Sequence, residues 1–354
     1  MLSCYQKAET KFPELHQEGM VYTRKALEQS SGEAMVNYKS SRLKGSVAID
    51  GTGGLGLDTY ALSRSFDWVL HIEPDAELQQ IARHNHRLLG IEDTVTYVNS
   101  TLERWVETAV QRADLIYVDP SRRDESRRYF KLEDCRPDVL SLKDKLKQLA
   151  SRILFKLSPM LDVDYIADHI PEASSIECCS VGGEVKEVLA DISQPAATPD
   201  IQGVVLDQAG APQHRVTRKS DPSVDRSGST EMNYLYVPDS AVIKAGAIPS
   251  LADEYHLEII GNPGFYLLGA FPASSFPGHR FLIEQRGTFR PKPVRKELKR
   301  TGYHRIRIRR KNFPIPPEAL YSKLNVKMGD QAHLFLTRDH TGKQVYFIAR
   351  NDES

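Results

Sequence analysis

Between Val47 and Ile192, short β-branched runs alternate with longer amphipathic stretches, and no other feature constrains the fold of this chain as strongly. A strand that returns through a helix to the next strand is the repeating unit of a parallel sheet covered by helices. The pattern predicts strands at about 47–50, 69–73, 95–98, 114–118 and 152–157, with helices after Gly54, Pro74, Ser100 and Pro137. The last helix is expected to span Pro137 to Ala150, with the proline in its first turn. A helix at 161–169 follows, then two strand-like runs separated by Gly182-Gly183, which signals a hairpin.

The flanking segments suggest further modules. Ser30 and Glu33 have the spacing of a capping box, so a helical lead-in over 1–44 is expected. The α/β domain is assigned to 45–195, and the Pro-, Ser-, Gln- and Asp-rich stretch after it contains a boundary. An α+β module is expected at 196–277 and a basic, β-containing terminal domain at 278–354. Lys plus Arg and Asp plus Glu are both 47, yet the charge is uneven: Arg280 to Lys311 holds thirteen Lys or Arg against two Glu, a net +11. The four cysteines lack metal-ligand spacing. His84 and His86, two apart on a helix, are read as solvent-facing rather than as ligands, and no metal is expected. No leader or membrane-spanning run is apparent, which points to the cytoplasm.

The stretch "VAIDGTGGLGLDTYALSR" carries the chemistry. Gly51, Gly53 and Gly56 satisfy G-x-G-x-x-G, the spacing of a dinucleotide turn. Asp50 stands immediately before the first glycine, where the class I methyltransferase fold places an acid facing the methionine ammonium of S-adenosylmethionine. Glu73 closes the second strand and suits the ribose hydroxyls of either ligand. At the end of the fourth strand, Asp119-Pro120 brings a carboxylate to the ligand edge of the sheet. Base methyltransferases hold the amine to be methylated at that place. Five parallel strands ending in an antiparallel hairpin also suit a methyltransferase better than an NAD-binding domain.

The segments "LEQSSGEAMVNYK", "DGTGGLGLD", "YVDPSRR", "FKLSPMLD", "GEVKEVL" and "YLYVPDSAVIKAG" resemble the THUMP-like-domain class I S-adenosylmethionine-dependent methyltransferases of bacteria. The resemblance implies a Rossmann-like, mostly parallel sheet ending in a hairpin, then ferredoxin-like and THUMP-like α+β modules. It also implies S-adenosylmethionine as cofactor and RNA as partner. Candidate cofactor contacts are Asp50, Gly51, Thr52, Gly53, Gly54, Gly56 and Asp58 in the turn, Glu73, and Asn99 with Ser100 after the third strand. Asp119 and Pro120 are the catalytic candidates. Two departures stand out: Thr52 replaces a glycine, and Ser121-Arg122-Arg123 replaces the proline and aromatic that usually follow.

A carbon-5 pyrimidine methyltransferase needs a cysteine nucleophile, but "KLSPML" after the fifth strand offers none, and Cys135 sits in structural surroundings. Nitrogen methylation of a ribosomal or transfer RNA base is therefore expected. The RNA contacts proposed are Arg122, Arg123 and Lys156 near the target. On the basic segment they are Lys296, Lys299 and Arg300, with Arg305, Arg307 and Arg309 on one strand face. A non-catalytic RNA-binding protein with a degenerate fold, or a methyltransferase for a protein or small molecule, remain the alternatives.

Overall fold

The computed structural model describes residues 2–122, 131–193, 197–221, 232–261 and 264–352. The chain divides into two compact units, Met1–Arg215 and Val216–Ser354.

The first unit opens with three helices, α1 (Leu2–Lys11), α2 (Arg24–Gln29) and α3 (Glu33–Arg42). The capping box does not form. Ser30 ends α2 and donates its hydroxyl to Leu27 O, Gly32 begins α3, and the Glu33 carboxylate accepts the Glu14 amide at 3.0 Å. The strands then follow: β1 (Gly45–Asp50), β2 (Phe66–Ile72), β3 (Val95–Val98), β4 (Ala113–Val118), β5 (Ala150–Leu157), β6 (Ser175–Val181), β7 (Glu184–Ile192), β8 (Asp200–Leu206) and β9 (Pro212–Thr217). Between them lie α4 (Leu57–Ser63), α5 (Ala76–Leu88), α6 (Leu102–Thr108), α7 (Val139–Leu149) and α8 (Val163–His169). Pro137 precedes α7 instead of entering its first turn, because Asp138 is the cap and accepts the Ser141 amide.

The sheet order is β3-β2-β1-β4-β5-β7-β6-β8-β9. β1 to β5 run parallel, and β7 is inserted antiparallel between β5 and β6. Gly182 and Gly183, with φ of 60° and 80°, make the two-residue turn that joins β6 to β7. β1 lies between β2 and β4, so the chain switches direction across the sheet at their carboxyl ends, where open α/β sheets leave a crevice. β8 and β9 extend the same sheet, which carries the first unit past residue 195 to about 215. The parallel pairing of β8 with β6 attaches this extension to the sheet.

The lead-in is part of the core. Phe12, Leu15, Leu27 and Val36 pack with Leu55, Leu57 and Ala61 at the start of α4. α3 is also tied to the sheet by charge: buried Glu177 on β6 accepts from Tyr38 at 2.8 Å, from Arg215 at 3.1 Å and from Arg42.

In the second unit β10 (Tyr234–Pro238), β11 (Glu258–Ile260), β12 (Tyr266–Gly269), β13 (Gly278–Thr288), β14 (Arg305–Arg310), β15 (Lys327–Met328), β16 (Ala332–Arg338) and β17 (Gln344–Asn351) form one sheet. Its order is β11-β12-β10-β13-β17-β16-β14-β15. Helices α9 (Ser240–Lys244), α10 (Ile248–Tyr255), α11 (Pro291–Arg300) and α12 (Pro317–Leu324) accompany it. The segment expected to begin a terminal domain at 278 opens with β13. β13 pairs with β10 on one side and β17 on the other, and one core contains Leu235, Tyr266, Phe281 and Phe335.

Glu177→Ala should destabilise the protein by about 2 kcal/mol, short of the full cost of opening a buried pair because Arg215 is partly exposed. Glu184→Ala, at an exposed hairpin position, should change stability by less than about 0.5 kcal/mol in the same urea titration.

Candidate cofactor and target site

The carboxyl ends of β1, β2, β4 and β5 and the loops after them open onto a cavity of about 1100 Å³. That exceeds the roughly 300–1000 Å³ of a site for one small molecule. The lead-in supplies part of its wall through Ala26, Glu28, Gln29 and Ser30. Lys11 holds that helix end by donating to Leu27 O at 2.7 Å and Ser30 O at 2.5 Å. Burial, reinforced by the charge of Lys156, pulls the Lys11 ammonium down to about 8.

The glycine turn is fixed from both sides. Gly51 N donates to Tyr117 O at 2.9 Å and Gly53 N to Ile72 O at 2.8 Å, while Thr52 Oγ1 accepts the Asp119 amide at 2.7 Å. Thr52 therefore joins the turn to the carboxyl end of β4 at Asp119, a use that a glycine could not serve. Gly51, Thr52, Gly53, Gly54 and Asp58 all line the cavity. A Cβ on Gly53 would stand 2.2 Å from the His71 ring. Gly56 does not line the cavity. It is left-handed (φ 79°), and His86 packs under it, with Nε2 at 2.8 Å from Gly56 O. His86 is accordingly buried and not solvent-facing: it also meets Tyr97 OH through Nδ1 at 2.8 Å, and burial lowers its pKa to about 4. His84 is exposed. Among the described residues, no group of three His, Cys, Asp or Glu could hold a metal.

Asp50, the residue expected to face the cofactor, is fully buried and absent from the cavity wall. Its Oδ1 accepts the Thr52 amide at 3.1 Å and its Oδ2 the Thr59 hydroxyl at 2.7 Å. Thr59 Oγ1 is also 2.8 Å from His71 Nδ1. With Asp50 ionised, the single Thr59 proton goes to it and His71 donates from Nδ1, which leaves Nε2 as an acceptor with no partner among the described residues. Burial first, then the charge of Asp58, raises Asp50 to about 7, and burial lowers His71 to about 3. Asp50 thus shapes the turn from below.

Glu73 does line the cavity. Its Oε2 accepts the Gly54 amide and its Oε1 the Asp75 amide, both at 2.9 Å, and burial raises its pKa. Asn99 and Ser100 stand outside the wall, which is formed instead by Thr101, Leu102 and Glu103. Asn99 supports β2 by donating to Glu73 O at 2.9 Å.

Asp119 and Pro120 reach the cavity beside Lys156. Lys156 Nζ is 2.5 Å from Asp119 Oδ2 and 3.9 Å from Asp58 Oδ2. Asp58 in turn meets Lys39 Nζ at 2.5 Å and Ser31 Oγ at 3.0 Å, and accepts from Tyr117. Lys39 also meets Glu187 at 3.1 Å. Burial alone would discharge Lys156, but Asp119, Glu187 and Asp58 outweigh it and hold the ammonium well above its ordinary value. The same opposition, decided by Lys39 and Lys156, holds Asp58 down to about 2. Sequence reasoning missed Lys39, Ser31 and Tyr117. Their roles depend on contacts with distant elements, and only the folded chain shows that α3 is buried along most of its length, Lys39 included.

Arg122 lies on a two-residue strand opposite Cys135, and Arg123 lies outside the described residues. In the second unit the basic residues separate into two groups. Arg300 pairs with Glu297 and Arg307 with Asp330, while Arg309 lies over the Phe281 and Phe335 rings at 5.6 and 6.0 Å. Arg305 is exposed, as are Lys292, Arg295, Lys296 and Lys299, which form one stripe on α11 opposite buried Val294 and Leu298.

Two measurements test this arrangement. An acid raised from about 3.9 unfolded to about 7 folded keeps its proton only in the folded state between those values, so stability falls across that window. Relative to Asp50→Asn, the wild type should therefore lose melting temperature from pH 5 to pH 7 and remain parallel above it. Gly53→Ala should cost about 2 kcal/mol in urea denaturation through its collision with His71.

Comparison with known proteins matches residues 278–351 to the "THUMP domain-like" family and residues 26–132 to the family described as "Conserved hypothetical protein 95". Two Mycobacterium tuberculosis proteins, each described as an uncharacterized S-adenosylmethionine-dependent methyltransferase, are 23% identical over 329 residues. The match covers 93% of this chain and 87% of theirs. A crystal structure described as that of a "putative methyltransferase from Porphyromonas gingivalis W83" is 28% identical, with a TM-score of 0.87 over 99% of this chain and 89% of that one. No described helix is long and apolar enough to cross a membrane. With the strand order and the cavity at the switch point, the chain has a Rossmann-like methyltransferase fold and a THUMP-like match over residues 278–351, and along most of its length it is similar to S-adenosylmethionine-dependent methyltransferases.

Proposed function

We propose that the protein methylates a nitrogen of a base in ribosomal or transfer RNA. The cavity residues fit S-adenosylmethionine. Each Glu73 oxygen accepts one backbone amide and keeps lone-pair capacity for a ribose hydroxyl, while Pro74 and Leu102 offer apolar surface for adenine. When bound, the cofactor supplies an electrophilic methyl group for in-line displacement, so the protein's task is to orient the nucleophile.

The observation that carries the reading is the state of Asp119. One carboxylate oxygen is taken by Lys156 at 2.5 Å, while the side chain remains 31% exposed at the cavity. Oδ1 then accepts a hydrogen bond from the target amine and turns its lone pair toward the methyl group. After transfer the nitrogen sheds a proton, and Asp119 is the nearest acceptor in this reading. A volume of about 1100 Å³ leaves space for a nucleotide turned out of its strand beside the cofactor.

RNA as partner rests on the THUMP-like domain and on the charge of α11. Lys292, Arg295, Lys296 and Lys299 would meet phosphates, joined by Arg305. Arg309 has a packing role, and Arg300 and Arg307 are already balanced by carboxylates.

Asp119→Ala should leave S-adenosylmethionine affinity within about threefold by calorimetry. It should lower methyl transfer to RNA from cells lacking the protein by about a hundredfold or more. Equal loss of cofactor affinity would place Asp119 at the cofactor instead. Changing Lys292, Arg295, Lys296 and Lys299 together to Gln should flatten the dependence of log RNA affinity on log salt by about 3 units. Arg309→Gln should leave that slope unchanged and lower the melting temperature.

A further inference from the structure

Lys39 is a buried lysine that does not line the cavity, and its surroundings have a consequence for the group that does. From α3 it reaches four partners: Ser31 Oγ at 2.7 Å, Asp58 Oδ1 at 2.5 Å, Glu187 Oε2 at 3.1 Å and Tyr117 OH at 3.3 Å. Its side chain is 1% exposed. Beyond Asp58 stands Lys156, and beyond Lys156 stands Asp119, so four charges alternate in sign from the lead-in to the cavity.

Lys156 has two described carboxylates within 4 Å, Asp119 at 2.5 Å and Asp58 at 3.9 Å, with Glu187 acting on it from farther away. Which one holds it depends on how fully the other is satisfied. With Lys39, Ser31 and Tyr117 all on Asp58, Lys156 is free to turn to Asp119. Without the Lys39 charge, Asp58 keeps only its hydroxyl donors and Glu187 loses a cation in a low-dielectric interior, and both draw Lys156 away from Asp119.

We propose that Lys39 is a positioning residue for methyl transfer, fixing the Asp119 carboxylate through Asp58 and Lys156. The inference rests on the reading of Asp119 as the acceptor for the target amine. Lys39 touches neither cofactor nor target, so its loss should appear in the chemical step and not in binding.

The test compares Lys39→Gln, Lys39→Arg and Ser31→Ala with the wild type. Tritiated S-adenosylmethionine is the donor, RNA from cells lacking the protein is the acceptor, and calorimetry gives cofactor affinity. Lys39→Gln should lower kcat about thirtyfold or more while KM and the dissociation constant for S-adenosylmethionine stay within threefold. Lys39→Arg should recover kcat to within about fivefold of wild type. Should Lys39→Gln fail to fold, Ser31→Ala, which removes one bond from Lys39 and one from Asp58, should still lower kcat about threefold at unchanged affinity. Parallel loss of kcat and cofactor affinity in these variants, or an unchanged kcat, would overturn the proposal.

A double-mutant cycle needs no RNA. Lys39→Gln and Asp119→Asn, singly and together, should be non-additive by at least about threefold in the unfolding constant, although the two side chains do not touch. Additivity would overturn the inference. If the wild type transfers no methyl to RNA while the cycle remains non-additive, the RNA reading fails and the linkage stands.

Discussion

The contact between Lys39 and Asp58 is the point on which the site depends. Burying an ammonium or a carboxylate costs several kcal/mol unless a partner arrives with it, and here the partners come from separate elements. Lys39 is on α3, Asp58 on α4, Tyr117 on β4, Lys156 on β5 and Glu187 on β7. No local segment can satisfy these charges alone. The target end of the cavity therefore forms only when the lead-in helices have docked and the β6–β7 hairpin has inserted. This also explains why the lead-in shares a core with α4 and lines the cavity instead of hanging from the domain as an appendage.

The acids at and beneath the cavity are divided by the same logic. Asp50 ends β1 and meets one amide and one hydroxyl donor, with no cation beside it among the described residues, so burial dominates and the carboxyl group is weakly acidic. Asp58 lies at the cavity wall, and two lysines decide its state. Glu73 accepts backbone amides at the edge of the cavity and keeps capacity for a ligand. Three acids close together in the sequence thus differ in what decides their state: burial for Asp50, two lysines for Asp58, and burial against two backbone amides for Glu73.

Much of the first unit was legible in the sequence because it rests on local signals. β-branched runs bounded by Gly and Pro gave five parallel strands within a few residues, and Gly182-Gly183 gave the hairpin. What failed was whatever depended on distant partners. Ser30 and Glu33 have capping-box spacing, yet Glu33 is used by the chain at Glu14, which no local pattern reveals. His86 looked solvent-facing because its burial depends on Gly56, thirty residues away. Asp50 has the right position for a cofactor acid, but its orientation was decided by Thr59 and His71. In the basic segment, alternation correctly placed Arg305, Arg307 and Arg309 on a strand. It could not show that Asp330 neutralises one and two phenylalanines cover another.

The most direct test of the functional account is nucleoside mass spectrometry of ribosomal and transfer RNA from cells with and without the protein. The account predicts that one base-N-methylated nucleoside disappears in its absence. That nucleoside should return with the wild-type chain and stay absent with Asp119→Ala. Disappearance of a ribose- or carbon-methylated nucleoside, an unchanged nucleoside profile, or full restoration by Asp119→Ala would contradict it.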